Sequence, residues 1–192
     1  MSLATSRPVS MLGFHSRFYF DFDGVFNVNK SLYGDAVSTS VRLKVDGVKK
    51  DVSLNYSPSL LADVDALRVK HNAELVWVSS WCDNLDILKA AKVMGGLLDG
   101  RVLSGMFTPW ARLSKADRNS WKLKAVVDDL RGDSVPFVWA DDEALTVKSF
   151  KTTVKDAYPD VPKLLVAPRS WGGLSRLDVA AMDNFLTASL SA

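Results

Sequence analysis

Arg17-Phe18-Tyr19-Phe20-Asp21-Phe22-Asp23-Gly24-Val25-Phe26-Asn27 is the stretch that decides how this 192-residue chain is read. An aromatic run gives way abruptly to two carboxylates and a glycine. Aromatic side chains favour strands, and a short unbroken apolar run fits a strand covered on both faces. Alternation along an extended chain places Asp21 and Asp23 on one side and Phe22 on the other. Two acids at the rim of an apolar sheet are costly to desolvate unless a cation or a proton sits between them. A hard divalent cation such as Mg²⁺ is the natural occupant. Gly24 lets the chain turn sharply and lets a ligand approach the backbone.

Two later apolar runs end in the same polar way. Glu74-Leu75-Val76-Trp77-Val78-Ser79-Ser80-Trp81 reads as a buried strand closing on two hydroxyls, and Val135-Pro136-Phe137-Val138-Trp139-Ala140-Asp141-Asp142-Glu143 as one closing on acids. Between them lies Asn119-Ser120-Trp121-Lys122-Leu123-Lys124, where Asn119 or Ser120 can cap a helix running to about Leu130. A lysine in a first helical turn opposes the helix dipole, so an anion shared with the helix N-terminus is the better explanation for it.

Taken in order, Asp21-Phe22-Asp23-Gly24-Val25, the Ser79-Ser80 strand end, the lysine and the Asp141-Asp142 pair resemble the four motifs of the haloacid dehalogenase-like (HAD) hydrolases. The strand Leu75-Val76-Trp77-Val78-Ser79-Ser80-Trp81, the Trp121-Lys122 pair, the Trp139-Ala140-Asp141-Asp142-Glu143 run and the short form are most similar to the small HAD domains of the Swiss Army Knife RNA repair group. The chain departs from the pattern where Ser79-Ser80 stands for a more usual Thr-Gly, and in an insertion after the first strand. The resemblance implies an aspartyl-phosphate mechanism. Asp21 is the nucleophile, and Asp23 the general acid and then base. Ser79, with Ser80 as rival, and Lys122, with Lys124 as alternative, stabilise the phosphoryl charge. Mg²⁺ is held by Asp21, Asp23 through its backbone carbonyl, and Asp141 or Asp142. A second acid at Asp23 argues for phosphatase over dehalogenase chemistry, because an alkoxide leaving group needs a proton and a halide does not.

Composition bounds the rest. About half the chain is apolar and a quarter charged, with a formal net charge of +2, which announces no nucleic-acid binding and excludes no local basic patch. One cysteine, Cys82, excludes an internal disulfide, and His15 and His71 are too few for a zinc cluster. The chemistry therefore rests on carboxylates, hydroxyls and lysines. No stretch approaches the roughly 20 apolar residues of a membrane span, and a cytoplasmic location is the default expectation.

Residues 1–16 read as a mobile leader and 17–192 as a single domain. Val41-Arg42-Leu43-Lys44-Val45, the turn signal Asp46-Gly47 and a return strand from Val48 predict a β-hairpin insertion at about 38–56. Its Arg42, Lys44, Lys49 and Lys50 read first as a solvated edge and second as an anion clamp. Ser57-Pro58 predicts a helix start, with Leu60, Leu61, Val64 and Leu67 as its apolar stripe. Asp83 is a cap for a next helix in which Leu85, Leu88 and Ala91 face the core until Gly95-Gly96 stops it. Residues 105–119 read as a long loop, and further elements are expected at 146–158, 163–166 and from Ser175. The fold class is α/β: a Rossmann-like parallel sheet with helices on both faces, a small hairpin after the first strand and no large cap domain.

An open site suits bulky substrates, and Trp81, Trp110 and Trp121 are candidates to stack on bases. The expected partner is a phosphorylated substrate, a nucleic-acid end or a nucleotide, with no protein partner inferable. Small phosphate esters are the alternative substrates. A catalytically idle phosphate-binding module is the competing class.

Overall fold

The computed structural model describes residues 13–45, 48–82, 86–103 and 115–191. Five parallel strands form one sheet in the order β5-β4-β1-β6-β7. They are β1 (Ser16–Phe20), β4 (Ala73–Trp77), β5 (Arg101–Val102), β6 (Phe137–Ala140) and β7 (Lys163–Val166). A separate antiparallel pair, β2 (Val37–Val45) and β3 (Val48–Tyr56), is inserted after β1. The chain works outward from β1 to β4 and β5, then crosses back to β6 and β7 on the other side. In such a sheet ligands sit beyond the carboxyl ends of the strands where the winding reverses, here between β1 and β6.

Side-chain alternation divides the core into two layers. Phe18 and Phe20 of β1, Leu75 and Trp77 of β4 and Val138 and Ala140 of β6 face one layer. Helices α1 (Pro58–Lys70), α2 (Asp86–Val93) and α5 (Arg176–Ser191) cover it. Tyr19, Val76, Phe137 and Trp139 face the other, beneath α3 (Lys115–Asp129) and α4 (Lys148–Ala157). The parallel sheet between helical layers is the architecture expected from three apolar runs alternating with helical patterns.

Local chemistry accounts for most element ends. Ser57 Oγ accepts from Leu60 N–H at 3.0 Å with Pro58 following, and this starts α1 as the sequence indicated. At the end of α2, Gly95 and Gly96 take positive φ, and Gly96 N–H reaches back to Ala91 O at 2.9 Å. Ser175 and Asp178 cap α5 reciprocally: Ser175 N–H donates to Asp178 Oδ2 at 2.8 Å and Asp178 N–H to Ser175 Oγ at 3.3 Å.

Three local expectations need correction. Helix α3 begins at Lys115, so neither Asn119 nor Ser120 caps it. In α2 the buried stripe is Ile87, Ala90 and Ala91, whereas Leu88 is exposed. The expected strip at 85, 88 and 91 shares only Ala91 with it, and Asp83 and Leu85 lie outside the described residues. Ser16, assigned to the leader, is the buried first residue of β1. The expected turn at Asp46-Gly47 also lies outside the described residues.

The hairpin is seated on the core through Val41, Leu43 and Leu54. On its outer face Arg42 pairs with its cross-strand partner Asp51 at 2.6 Å, while Lys44 stands opposite Lys49. No helix of the described residues is long and apolar enough to cross a membrane.

Candidate active site

Strand register brings distant acids level with one another. Phe20 pairs with Ala140, so the next residues, Asp21 and Asp141, leave the sheet side by side at its carboxyl rim. Tyr19 and Trp139 face the α3 layer, and two residues on, alternation sends Asp21 and Asp141 to that same face. There Lys122 of α3 reaches between them. Its Nζ donates to Asp141 Oδ2 at 2.8 Å and to Asp21 Oδ2. All three side chains are buried. Asp141 is held further by Glu143 N–H at 3.0 Å and Ala144 N–H at 2.7 Å, both on Oδ1, and Phe22 N–H donates to Asp21 Oδ1 at 2.7 Å.

Asp142 completes the group through a glycine. Gly24 has φ +72°, and a Cβ on it would lie 2.2 Å from Asp142 Cγ, so only glycine lets that carboxylate rest against the first loop. One carboxylate oxygen from each of Asp21, Asp141 and Asp142 falls within 4.8 Å of the others. Three hard oxygen donors this close suit a small divalent cation in chemistry and spacing.

Electrostatics point the same way. Burial alone would lower the Lys122 pKa, but Asp21 and Asp141 outweigh it and push it up. The Asp141 carboxyl is also pushed up, by burial first and then by the charge of Asp21, against the pull of Lys122. Asp142 rises to about 6 for the same reasons in the same order. Burial leads both rises and the neighbouring Asp21 charge adds to them, while by count one ammonium faces three carboxylates. The site carries excess negative charge.

Asp23 is turned elsewhere. Asn27 Nδ2 donates to its Oδ1 at 2.6 Å and Trp81 Nε1 to its Oδ2 at 2.7 Å. Although Asp23 reaches solvent, the protein packed behind its carboxyl desolvates it and raises its pKa. Asp21 adds to the rise, and the Asn27 and Trp81 hydrogen bonds oppose it. Asn27 Oδ1 in turn accepts from Asn55 N–H of the hairpin at 2.9 Å, and Val28 N–H donates to Asn55 O at 2.9 Å. The inserted hairpin is thus tied to the loop that carries Asp23.

The remaining candidates separate cleanly. Lys124 is exposed and pairs with Asp128, away from Lys122's position. Lys122 lies in the middle of α3 rather than in a first turn, so the carboxylates it faces, and not the helix dipole, account for it. Ser79 is fully buried just past β4, its Oγ accepting from Trp81 N–H at 3.4 Å, while Ser80 opens the following 3-10 turn. Since Phe20 pairs with Trp77, Ser79 stands at the same rim as Asp21.

The profile of the HAD domain in Swiss Army Knife RNA repair proteins matches residues 18–179. The chain belongs to this family. Among curated proteins none matches the chain. As a HAD domain it has the general character of a phosphatase-type hydrolase, and its acidic cluster sits where its first and last apolar runs end.

Sequence reasoning missed Asn27 and Trp81 as partners of Asp23. The Trp81 ring packs edge-on against Phe22, with centroids 4.9 Å apart, and its N–H donates to Asp23. Trp121 is partly buried against the α3 layer, and Trp110 lies outside the described residues. The only advance signal for Asn27 is its place four residues after Asp23, across a glycine turn.

Proposed function

We propose that the chain is a Mg²⁺-dependent phosphohydrolase that works through an aspartyl-phosphate on Asp21 and acts on nucleic-acid ends or nucleotides. The observation that carries this reading is the convergence of Asp21, Lys122, Asp141 and Asp142 on one buried point at the sheet rim. Asp21, Asp142 and Asp141, with the backbone carbonyl of Asp23, would hold the cation. When bound, it would offset the repulsion between the Asp21 carboxylate and a phosphate dianion.

The chain's own groups do the rest. Asp21 attacks phosphorus, the ester P–O bond breaks, and Asp23 gives its proton to the departing alkoxide. Water then attacks the same phosphorus, Asp23 takes its proton, and the bond to Asp21 breaks to release phosphate. Lys122 and the Ser79 hydroxyl stabilise charge on the transferring oxygens. Asn27 and Trp81 hold the Asp23 carboxyl in position for both proton transfers. Lys122 also orients Asp21, because it pairs with it in the buried site.

The test is release of phosphate from an aryl phosphate with and without Mg²⁺, followed by 3′- and 5′-phosphorylated oligonucleotides and nucleotides. Mg²⁺-dependent release that Asp21→Asn abolishes is the expected result. A parent with no activity on any of these would overturn the reading in favour of an idle phosphate-binding module. Activity confined to small esters would overturn the nucleic-acid part alone.

A further inference from the structure

The loop between β7 and α5 carries an exposed tryptophan on a firmly held backbone. Gly172 and Gly173 N–H groups both donate to Arg169 O at 2.8 Å, closing the loop on itself. Three more backbone bonds seat it on the segment that follows Asp23. Leu174 N–H donates to Val25 O at 3.2 Å, Lys30 N–H to Trp171 O at 3.0 Å and Leu32 N–H to Gly172 O at 3.2 Å. The seating requires its glycines: a Cβ on Gly173, where φ is +68°, would lie 2.5 Å from Val25 O, and one on Gly172 would lie 2.8 Å from Leu32 Cγ. The loop therefore leaves the same rim as Asp21 and Asp141 and abuts the catalytic loop two residues from Asp23.

Trp171 is 44% exposed on this fixed support, and half-exposed Leu32 beside Gly172 extends its apolar floor. The Arg169 guanidinium lies over the indole, 5.8 Å from the ring centroid. Arg169 and Lys30 are both exposed, and neither pairs with a carboxylate among the described residues. An exposed indole with Arg169 over it and Lys30 bonded through its backbone to the same loop matches the chemistry of a single-stranded nucleic acid, which offers a base face and backbone phosphates at once. An apolar protein partner would leave both cations without a counter-charge.

We propose that Trp171, Arg169 and Lys30 form a subsite for the nucleotide next to the reacting phosphate. The base stacks on Trp171, and Arg169 and Lys30 hold the adjoining backbone phosphate. This subsite rests on the phosphohydrolase reading above and narrows its substrate to a phosphorylated single-stranded end.

The experiment compares short 5′- and 3′-phosphorylated single-stranded oligoribonucleotides with an aryl phosphate, in the full chain. In Trp171→Ala, KM for the preferred oligonucleotide should rise about tenfold more than KM for the aryl phosphate, and Trp171→Phe should recover most of the difference. In Arg169→Gln/Lys30→Gln the log–log salt slope of oligonucleotide binding should flatten by about 1.4, as for two lost phosphate contacts to a single strand. An equal loss on both substrates would overturn the subsite, since it would make the loop a mere support for the catalytic loop. Trp171-dependent hydrolysis of a phosphopeptide with none of the oligonucleotides would overturn it too. If the parent lacks phosphatase activity altogether, the hydrolase reading fails separately. Anisotropy of the same labelled oligonucleotides with parent and Trp171→Ala then decides the subsite, equal affinities overturning it.

Discussion

Two buried charge clusters lie at opposite ends of β1, and they are built on different terms. Toward the amino end, Arg17 meets Glu74 at 2.7 Å and Asp133 at 2.7 Å, while Arg101 meets Glu74 at 2.8 Å and Asp129 at 2.6 Å. Tyr19 Oη adds a hydrogen bond to Asp129 at 2.7 Å. Two guanidinium forks thus serve three carboxylates, and Asp129 ends with a lowered pKa although burial pushes the other way. At the carboxyl end a single ammonium serves Asp21 and Asp141 with Asp142 alongside, and Asp141 and Asp142 end with raised pKa values. The ratio of cations to carboxylates separates the two, two guanidiniums for three acids at one end and one ammonium for three at the other. Burial leads the rise at Asp141 and Asp142, whereas at Asp129 the hydrogen bonds from Arg101 and Tyr19 overcome it.

The sharpest way to break this contrast is to delete one charge from each end. Asp21→Asn should lower phosphate release at least roughly a thousandfold while leaving Tm unchanged or slightly higher, because it relieves an excess of negative charge. Arg17→Met should do the reverse. It strands Asp133 in the interior and leaves Glu74 to Arg101 alone, costing about 3–5 kcal/mol, with turnover per folded molecule within about twofold of the parent. Equal losses of stability in the two variants, read by thermal denaturation, would mean that both clusters are structural.

Added Mg²⁺ sharpens the comparison from the ligand side. At about a hundred times its Kd, a cation bound only by the folded state contributes roughly 2.7 kcal/mol, a rise in Tm on the order of 5–10 °C for a chain of this size. Asp142→Asn should remove most of that rise, whereas Asp129→Asn should leave it intact. A Tm indifferent to Mg²⁺ in the parent would count against cation binding at the carboxyl rim.

Trp81→Phe is expected to have a smaller and more selective effect. It keeps the ring against Phe22 and removes only the N–H that Asp23 accepts. An alkyl phosphate needs a proton on its leaving oxygen and a dinitrophenyl phosphate does not. kcat/KM should therefore fall about tenfold for the former, roughly 1.4 kcal/mol, and hold for the latter. A uniform fall would make Trp81 a packing residue.

How much of this could be read in advance follows from the range of the interactions. The strands ending in Asp21, Ser79 and Asp141 were legible because each is an unbroken apolar run with an abrupt polar end, a local signal. α1, β7 and the capped start of α5 were legible for the same reason. The start of α3 was not, because Lys115-Ala116-Asp117-Arg118-Asn119 offers no apolar stripe and the good capping residues Asn119 and Ser120 lie inside the helix. The α2 stripe was misphased because which helix face packs on the core, here that of Ile87, Ala90 and Ala91, is a tertiary matter. Lys122 was selected by motif order, but the reason for it is tertiary: it reaches acids 101 and 19 residues away. The Asn27 and Trp81 contacts to Asp23, and the seating of the Trp171 loop, depend on loop closures that no local pattern encodes.

Acid is the gentlest probe of the amino-terminal cluster. Asp129 has its folded-state pKa depressed below the unfolded value of about 3.9, so its contribution is fully present above that value and is lost as pH falls through the folded pKa. Near neutral pH, Asp129→Asn should therefore melt a few degrees below the parent, the loss of charge-assisted hydrogen bonds from Arg101 worth roughly 1–2 kcal/mol. As pH drops below about 4 the two melting curves should converge, because the parent's own carboxylate is then being protonated. A gap that persists unchanged to the lowest pH at which both still fold would show that Asp129 acts through packing and not through its charge, and the amino-terminal cluster would lose the feature that sets it apart from the carboxyl rim.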